Sequence, residues 1–356
     1  MASERRRPPR ELTHSSRLEL RFDVGGMSKS TSALARARVT CEDDDMSSDT
    51  DTQVTGDGTT TNEATGDDRI RRVAPDVAFT DVMNGDSRWE IPIHDHGFVA
   101  LVDSMPRLVP EGQTADSAIV QAARVSYGAG TKKVNEDRGL IRYLLRHRHT
   151  TPLEMIEFKF HIAMPIFVAR QWIRHRTANV NEYSARYSIM PDRFYRPSIE
   201  NVRKQSTTNR QGGDEPMDVG TAEDFLKLLE DSEALYSRYH DLTEKGVARE
   251  IARAALPVSV FTEWYWKCDL HNILHFLSLR MDEHAQIEIR DYATAMYDLI
   301  KGIVPITCEA FEDYRLNAMH LTSLEIEAIR NGSPLDTTNK REIAEWKAKQ
   351  AELGLG

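Results

Sequence analysis

Cysteine is scarce in this chain: Cys41, Cys268 and Cys308 are the only three among 356 residues, and no CxxC pair occurs. That odd count gives no disulfide framework and no thiolate zinc site, and it fits a reducing compartment. No run approaches the roughly 18 apolar residues that a membrane span needs. The N-terminus also lacks an apolar signal core. Positive charge is short too, with 46 Lys and Arg against 56 Asp and Glu, a net charge of −10. General nucleic-acid binding normally requires the opposite balance. Neither GxGxxG nor a Walker loop is present; Gly25-Gly-Met-Ser-Lys-Ser30 has the wrong spacing. A soluble cytoplasmic protein is expected, with no membrane or nucleic-acid partner. The Arg/Ser bias of the first stretch would suit organelle targeting, but Glu4, Glu11, Glu19 and Asp23 oppose it.

The composition that remains, 40% apolar, suits a globular core. Residues 1–90 differ from the rest: Arg/Ser-rich to Arg38, then Asp, Thr and Gly from Glu42 to Asp68 with no Lys or Arg. Such a segment lacks the apolar surface to offset its ordering entropy, so a disordered tail is expected. A catalytic domain is expected over 91–320 and a peripheral helix or tail over 321–356. Structure should begin near Gly97, with a strand at Phe98–Val102. Helices are predicted at 115–125, capped by Thr114, and at 136–147. Phe158, Phe160 and Ile162 alternate with polar neighbours as a half-buried strand does. Pro165 should open a helix running to about Arg176, with 182–188 and 193–195 extended. Residues 199–220 read as a flexible insertion or surface loop. Helices follow from Thr221 to Lys245 and from Val247 to Leu256, and a long helical region from Phe261 to Lys301 breaks near 281–284. No repeat occurs, and the irregular order of elements indicates α+β.

One segment stands out against the acidic background: Arg170-Gln-Trp-Ile-Arg-His-Arg176, then Thr-Ala-Asn-Val-Asn-Glu-Tyr-Ser-Ala-Arg-Tyr187. On a helix Gln171, Arg174 and His175 would share one face, anchored by Phe167 and Trp172. Guanidinium groups on a fixed face suit bidentate recognition of phosphate. Glu182, Ser184 and Arg186 would point the same way along an extended stretch. The bland alternative is a solvated basic helix with a few surface ion pairs.

Arg174-His-Arg176, seven residues and Ser184 reproduce the signature of the flavin-dependent thymidylate synthases, and the chain resembles that family from about Gly97 to Tyr314. Supporting stretches are Ala122–Ser126, His149–Glu154, Pro165–Arg170, Arg249–Pro257 and Phe276–Arg280. The resemblance implies a mostly antiparallel central sheet packed with helices, and a homotetramer with active sites between subunits. It implies reductive methylation of dUMP to dTMP, with methylenetetrahydrofolate giving the carbon and NADPH-reduced FAD the hydride. Gln171, Arg174, Glu182, Ser184, Ala185, Arg186, Arg253 and Arg280 fall at its dUMP positions, Arg280 as the activating group. Ser126, Thr151, Glu154, Arg174, His175, Arg176, Glu182, Asp269, His271 and His275 fall at its FAD positions. Some relatives carry Asn and Arg where this chain has Asp269 and His271, and an acid at 269 would not help hold a phosphate.

The residues suit that chemistry. Cys41 lies in the tail and neither Cys268 nor Cys308 sits in a nucleotide motif, so covalent activation of uracil by a thiolate is poorly supported. A permanently charged Arg280 can stabilise the N3-deprotonated ring instead. Ser184, without an adjacent base, is expected to hydrogen-bond the nucleotide. Two rival readings fit the residues less well. His271 and His275 have a zinc-compatible spacing, but Asn272 breaks HExxH. A binding module for RNA would need basic and aromatic residues spread over a face; Trp264-Tyr-Trp266 could stack on bases but suits a core better.

Overall fold

The computed structural model describes residues 72–73, 88–109, 111–125, 137–206 and 212–355, all within the unit Asn62–Gly356. Most of the expected tail lies outside them. The main sheet takes β1 (Arg72–Val73), β2 (Arg88–Ile93), β3 (Gly97–Met105), β4 (Glu157–Pro165) and β5 (Asn179–Glu182). A hairpin of β6 (Arg203–Gln205) and β7 (Gly213–Pro216) stands apart, and β8 (Phe261–Asp269) returns to the main sheet. Its order is β1-β2-β3-β4-β8-β5. Only β1 and β2 run parallel, so the expected mostly antiparallel α+β fold is present.

Alternation along β4 and β8 builds the centre. Phe158, Phe160 and Ile162 oppose Cys268, Trp266 and Trp264 across the ladder, and all six are buried. Each large side chain taken from water contributes on the order of 1.5–3 kcal/mol. The other face is polar: Lys267 donates to Glu157 at 2.7 Å, and His161 stacks on Tyr265 with ring centroids 4.8 Å apart. Helices α7 (Leu270–Arg280) and α8 (Ile287–Lys301) belong to the same core through Ile273, Phe276, Tyr292 and Met296. Tyr292 donates to the Ala163 carbonyl at 2.9 Å. A Cβ at Gly97 would run into the Tyr292 hydroxyl and the Ile93 carbonyl, so glycine lets β3 start there.

Several expectations need correction. Structure begins before Gly97: Trp89 of β2 is buried and pairs with Leu101. The stretch Phe261–Asp269, expected as helix, is a strand, because Trp264, Trp266 and Cys268 face inward while Glu263, Tyr265 and Lys267 do not. That is a period of two. The helical break after Arg280 is real, and α8 resumes at Ile287. Pro165 ends β4 and caps α3 (Ile166–Trp172), which stops well short of Arg176. The chain must turn there to pair β5 with β8. Residues 185–187 form a turn instead of an extended stretch, closed by Tyr187 N–H donating to Ser184 at 3.0 Å. Glu182, Ser184 and Arg186 therefore do not alternate along one strand.

Within 199–220, β6 and β7 form a hairpin in place of a plain loop; a Cβ at Gly213 would lie 2.5 Å from that of Arg203. Helix α4 of our numbering comes later in the chain than α1 (Asp116–Val125) and α2 (Asp137–Arg146), which match their predicted spans closely. It covers Val219–Glu233, capped by Asp218 and not Thr221: the carboxylate accepts from Thr221 N–H at 3.0 Å. Helix α5 (Leu235–Glu244) follows, and Gly246, at φ +97°, turns the chain out of it. The predicted helix from Val247 reduces to α6 (Arg249–Ala252) and one 3-10 turn before Pro257. Helices α9 (Pro305–Phe311), α10 (Ser323–Asn331) and α11 (Lys340–Leu353) complete the chain, α10 opening with a Thr322/Glu325 capping box.

Candidate active site

Because α3 stops at Trp172, Arg174, His175 and Arg176 occupy the connection to β5. Trp172 anchors it, fully buried and stacked on Phe276 with centroids 4.6 Å apart. The other side of the site is the C-terminal turn of α7. Arg280 Nε donates to His175 Nε2 at 3.1 Å, which requires that nitrogen to be unprotonated and leaves Nδ1 as the N–H. The imidazole also meets Phe276 edge-on at 5.0 Å, and His275 lies 6.1 Å away. Desolvation, then the positive charge of Arg280 and the proximity of His275, lower the His175 pKa to about 4. The ring is neutral at physiological pH. Burial draws Arg280 below the usual guanidinium range, and no carboxylate pairs with it among the described residues.

Gln171 and Arg280 line a groove of about 1050 Å³ together with Arg203, Glu288 and Arg290. Sequence reasoning missed the last three: Arg203 lay in a segment read as loop, and Glu288 and Arg290 in a long helical region that carried no motif. Tyr195 donates to Glu288 at 2.7 Å, and burial foremost pushes the phenol pKa up. Gln171 Oε1 is buried without a hydrogen-bond partner. A buried acceptor left without a partner is uncommon and calls for an explanation.

The other expected nucleotide residues form a second group. Glu182 accepts from Thr262 at 2.9 Å. Ala185 is buried with Met190, Phe194, Tyr239 and Val260, and Arg186 sits 5.5 Å from the centre of the Tyr187 ring. Arg249 donates to the Tyr187 carbonyl at 2.7 Å, and Arg253 donates to the Glu250 backbone carbonyl at 3.2 Å. No hydrogen bond or ion pair joins this group to the Arg280 group among the described residues. Ser126 lies outside the described residues. Thr151 and Glu154 are exposed on the 3-10 turn Thr151–Met155, and His271 and His275 line a smaller cavity. Asp269 caps α7, accepting from Asn272 N–H at 3.0 Å and from its side chain at 2.8 Å. The acid that could not help hold a phosphate thus has a structural partner.

Thiol chemistry is unsupported. Cys268 is buried and its pKa is pushed up to about 12, mainly by desolvation; Cys308 is buried and shifted the same way. Trp264 and Trp266 are core residues, which removes the stacking platform, although Tyr265 is exposed. Among the described residues, the clustered metal-type ligands are His240, Asp241 and Glu244 on α5, mostly exposed and without His271 or His275.

Residues 107–306 match the Thy1 family, described as thymidylate synthase complementing protein. A flavin-dependent thymidylate synthase of Dictyostelium discoideum is 66% identical over 284 residues, covering 80% of this chain and 94% of that protein. One from Wolbachia pipientis wMel is 51% identical over 265 residues, covering 74% and 90%. Among solved structures, the UMP/dUMP methylase PolB of Streptomyces cacaoi, bound with 5-Br UMP, aligns at a TM-score of 0.55. It shares 33% identity and covers 63% of this chain and 97% of its own. By sequence signature, fold and relatives alike, the chain belongs to the flavin-dependent thymidylate synthases.

Proposed function

We propose that this chain converts dUMP to dTMP in the cytoplasm, using methylenetetrahydrofolate as carbon donor, FAD as resident cofactor and NADPH as reductant. The observation that carries the reading is Arg280, a half-buried guanidinium with no carboxylate partner among the described residues, positioned by a neutral histidine at the wall of a groove. Uracil C5 becomes nucleophilic when negative charge on the ring is stabilised. Arg280 supplies that stabilisation as a fixed positive charge, whereas both described thiols are buried and protonated. His175 orients Arg280 by accepting a hydrogen bond from its Nε–H.

Arg174 and Arg176 make no ion pair among the described residues. With Gln171 and the two histidines of α7 they fit a ligand bearing phosphates and hydrogen-bonding edges. Bound there, reduced flavin supplies the hydride. Glu182, Ser184 and Arg186, with Arg253, hold the nucleotide through hydrogen bonds and charge. The family resemblance supports a homotetramer in which neighbouring subunits complete each site. No helix of the described residues is long and apolar enough to cross a membrane.

The test is an anaerobic assay of purified protein with dUMP, methylenetetrahydrofolate, NADPH and added FAD. Formation of dTMP is expected. Absence of dTMP while the flavin is reduced normally would defeat the reading.

A further inference from the structure

Net charge makes unpaired arginines worth following. Near the start of α2, Arg138 and Arg142 both meet Glu309, and Arg142 also reaches Asp313 at 2.6 Å. Lys301 pairs with Glu312 at 2.7 Å. Arg148 and Arg315 belong to the same neighbourhood but have no carboxylate partner among the described residues. They share instead a cavity of about 150 Å³ with His149, His271, His275 and Ser278, over a floor that includes Leu144 and Leu274. No acidic side chain among the described residues lines it. Each guanidinium lies in the field of the other, as the lowered pKa of Arg315 records after its desolvation.

The backbone is a second, independent observation. Helix α2 ends in a Schellman turn: Arg148 N–H donates to Leu145 at 3.2 Å and His149 N–H to Leu144 at 2.9 Å. Arg148 takes the left-handed position, at φ 59°, where glycine is the usual residue and a side chain costs roughly 1–2 kcal/mol. Favourable interaction of a cation with the helix C-terminus does not require it, since Arg146 already provides that. Arg315 sits on a single π-turn, Glu312–Leu316, outside the family match over 107–306. Such turns recur at functional sites.

We propose that Arg148 and Arg315 form an oxyanion grip for a phosphoryl group of a dinucleotide used by this enzyme. The proposal rests on the function inferred above. The cavity holds one such group and not a whole dinucleotide. His275 lines it and stands 6.1 Å from His175, so the rest of a ligand would extend toward the Arg280 group. Two guanidinium forks suit the several oxygens of a phosphoryl group. The phosphate source is either the flavin pyrophosphate or the nicotinamide dinucleotide.

Arg148→Gly is the decisive variant because glycine suits the left-handed backbone, so its Tm should be unchanged or higher. Arg315→Gln is its companion. Titrations of the full-length tetramer or monomer, whichever forms, would follow FAD and FMN by flavin fluorescence, with KM measured for NADPH, NADH and methylenetetrahydrofolate. If the flavin is gripped, each variant binds FAD about tenfold more weakly, as expected for one lost charge-assisted contact, while FMN binding changes less. If the nicotinamide dinucleotide is gripped, FAD affinity holds and KM for NADPH rises about tenfold. Unchanged values for all dinucleotides, or a rise confined to the folate, would overturn the proposal. A wild-type protein that binds no flavin and makes no dTMP would instead defeat the underlying function.

Discussion

Arg142 and Arg280 are both partly buried arginines, yet their surroundings differ. Arg142 lies between Glu309 and Asp313, at 2.5 and 2.6 Å, and over the Tyr314 ring. Arg280 meets a neutral imidazole and a groove. With 56 acidic residues in the chain against 46 basic ones, carboxylates are plentiful, so a guanidinium left without one is informative. Arg174 and Arg176 share that condition among the described residues. Arginines of the first kind tie α2 to α9 and its following turn. On the proposed function, those of the second kind hold charge in reserve for an anion, at a local cost in repulsion that a ligand relieves.

The largest test of this contrast is Arg280→Ala. Turnover should fall about a hundredfold to a thousandfold, the scale for removing one preorganised donor, while thermal unfolding moves little. Single-turnover formation of dTMP within tenfold of wild type would erase the distinction. Next comes Arg174→Ala, expected to weaken dUMP or FAD binding by about tenfold or somewhat more without loss of fold. Equilibrium titration checks it, and an unfolded variant would class Arg174 with the structural arginines.

A smaller effect is expected from pH. The His175 pKa falls from an ordinary 6.5 to about 4 in the folded chain. The neutral ring is therefore the favoured native form, and its contribution is present above about pH 6.5 and declines as pH falls toward 4. Partial exposure makes that slope shallow. Protonation would also remove the acceptor for Arg280. Stability and kcat/KM measured from pH 7 to 4 should show an acid decline that His175→Gln flattens. Smallest is Arg142→Ala, which should cost under about 1 kcal/mol of stability and leave turnover intact. A collapse of activity would show that paired arginines also serve the chemistry.

Much of this was legible beforehand where pattern and chemistry agreed. The alternation of Phe158, Phe160 and Ile162 marked β4, and the Ala-rich stretch before Arg124 marked α1, because local periodicity survives into the packed state. The strand Phe261–Asp269 was misread because its aromatic run suits a helix or a strand, and only pairing with β4 decides. Likewise nothing local ends α3 at Trp172; the demand comes from β5 pairing with β8, a contact distant in sequence. The candidate site followed the same division. Arg174 and His175 were identifiable from residue type and spacing, and Arg280 from the family resemblance, but the Arg280–His175 hydrogen bond spans 105 positions and is a product of the fold. Arg148 left one local trace, a charged residue at a helix terminus where glycine is customary.

A crystal structure of the enzyme with FAD and dUMP tests the central claim most directly. The account predicts ligand oxygens within hydrogen-bond distance of Arg174 and Arg280, with the pyrimidine ring facing the Arg280 guanidinium and the His175 contact kept. Ligands bound away from these arginines, or Arg280 turned onto a protein carboxylate in the complex, would contradict it.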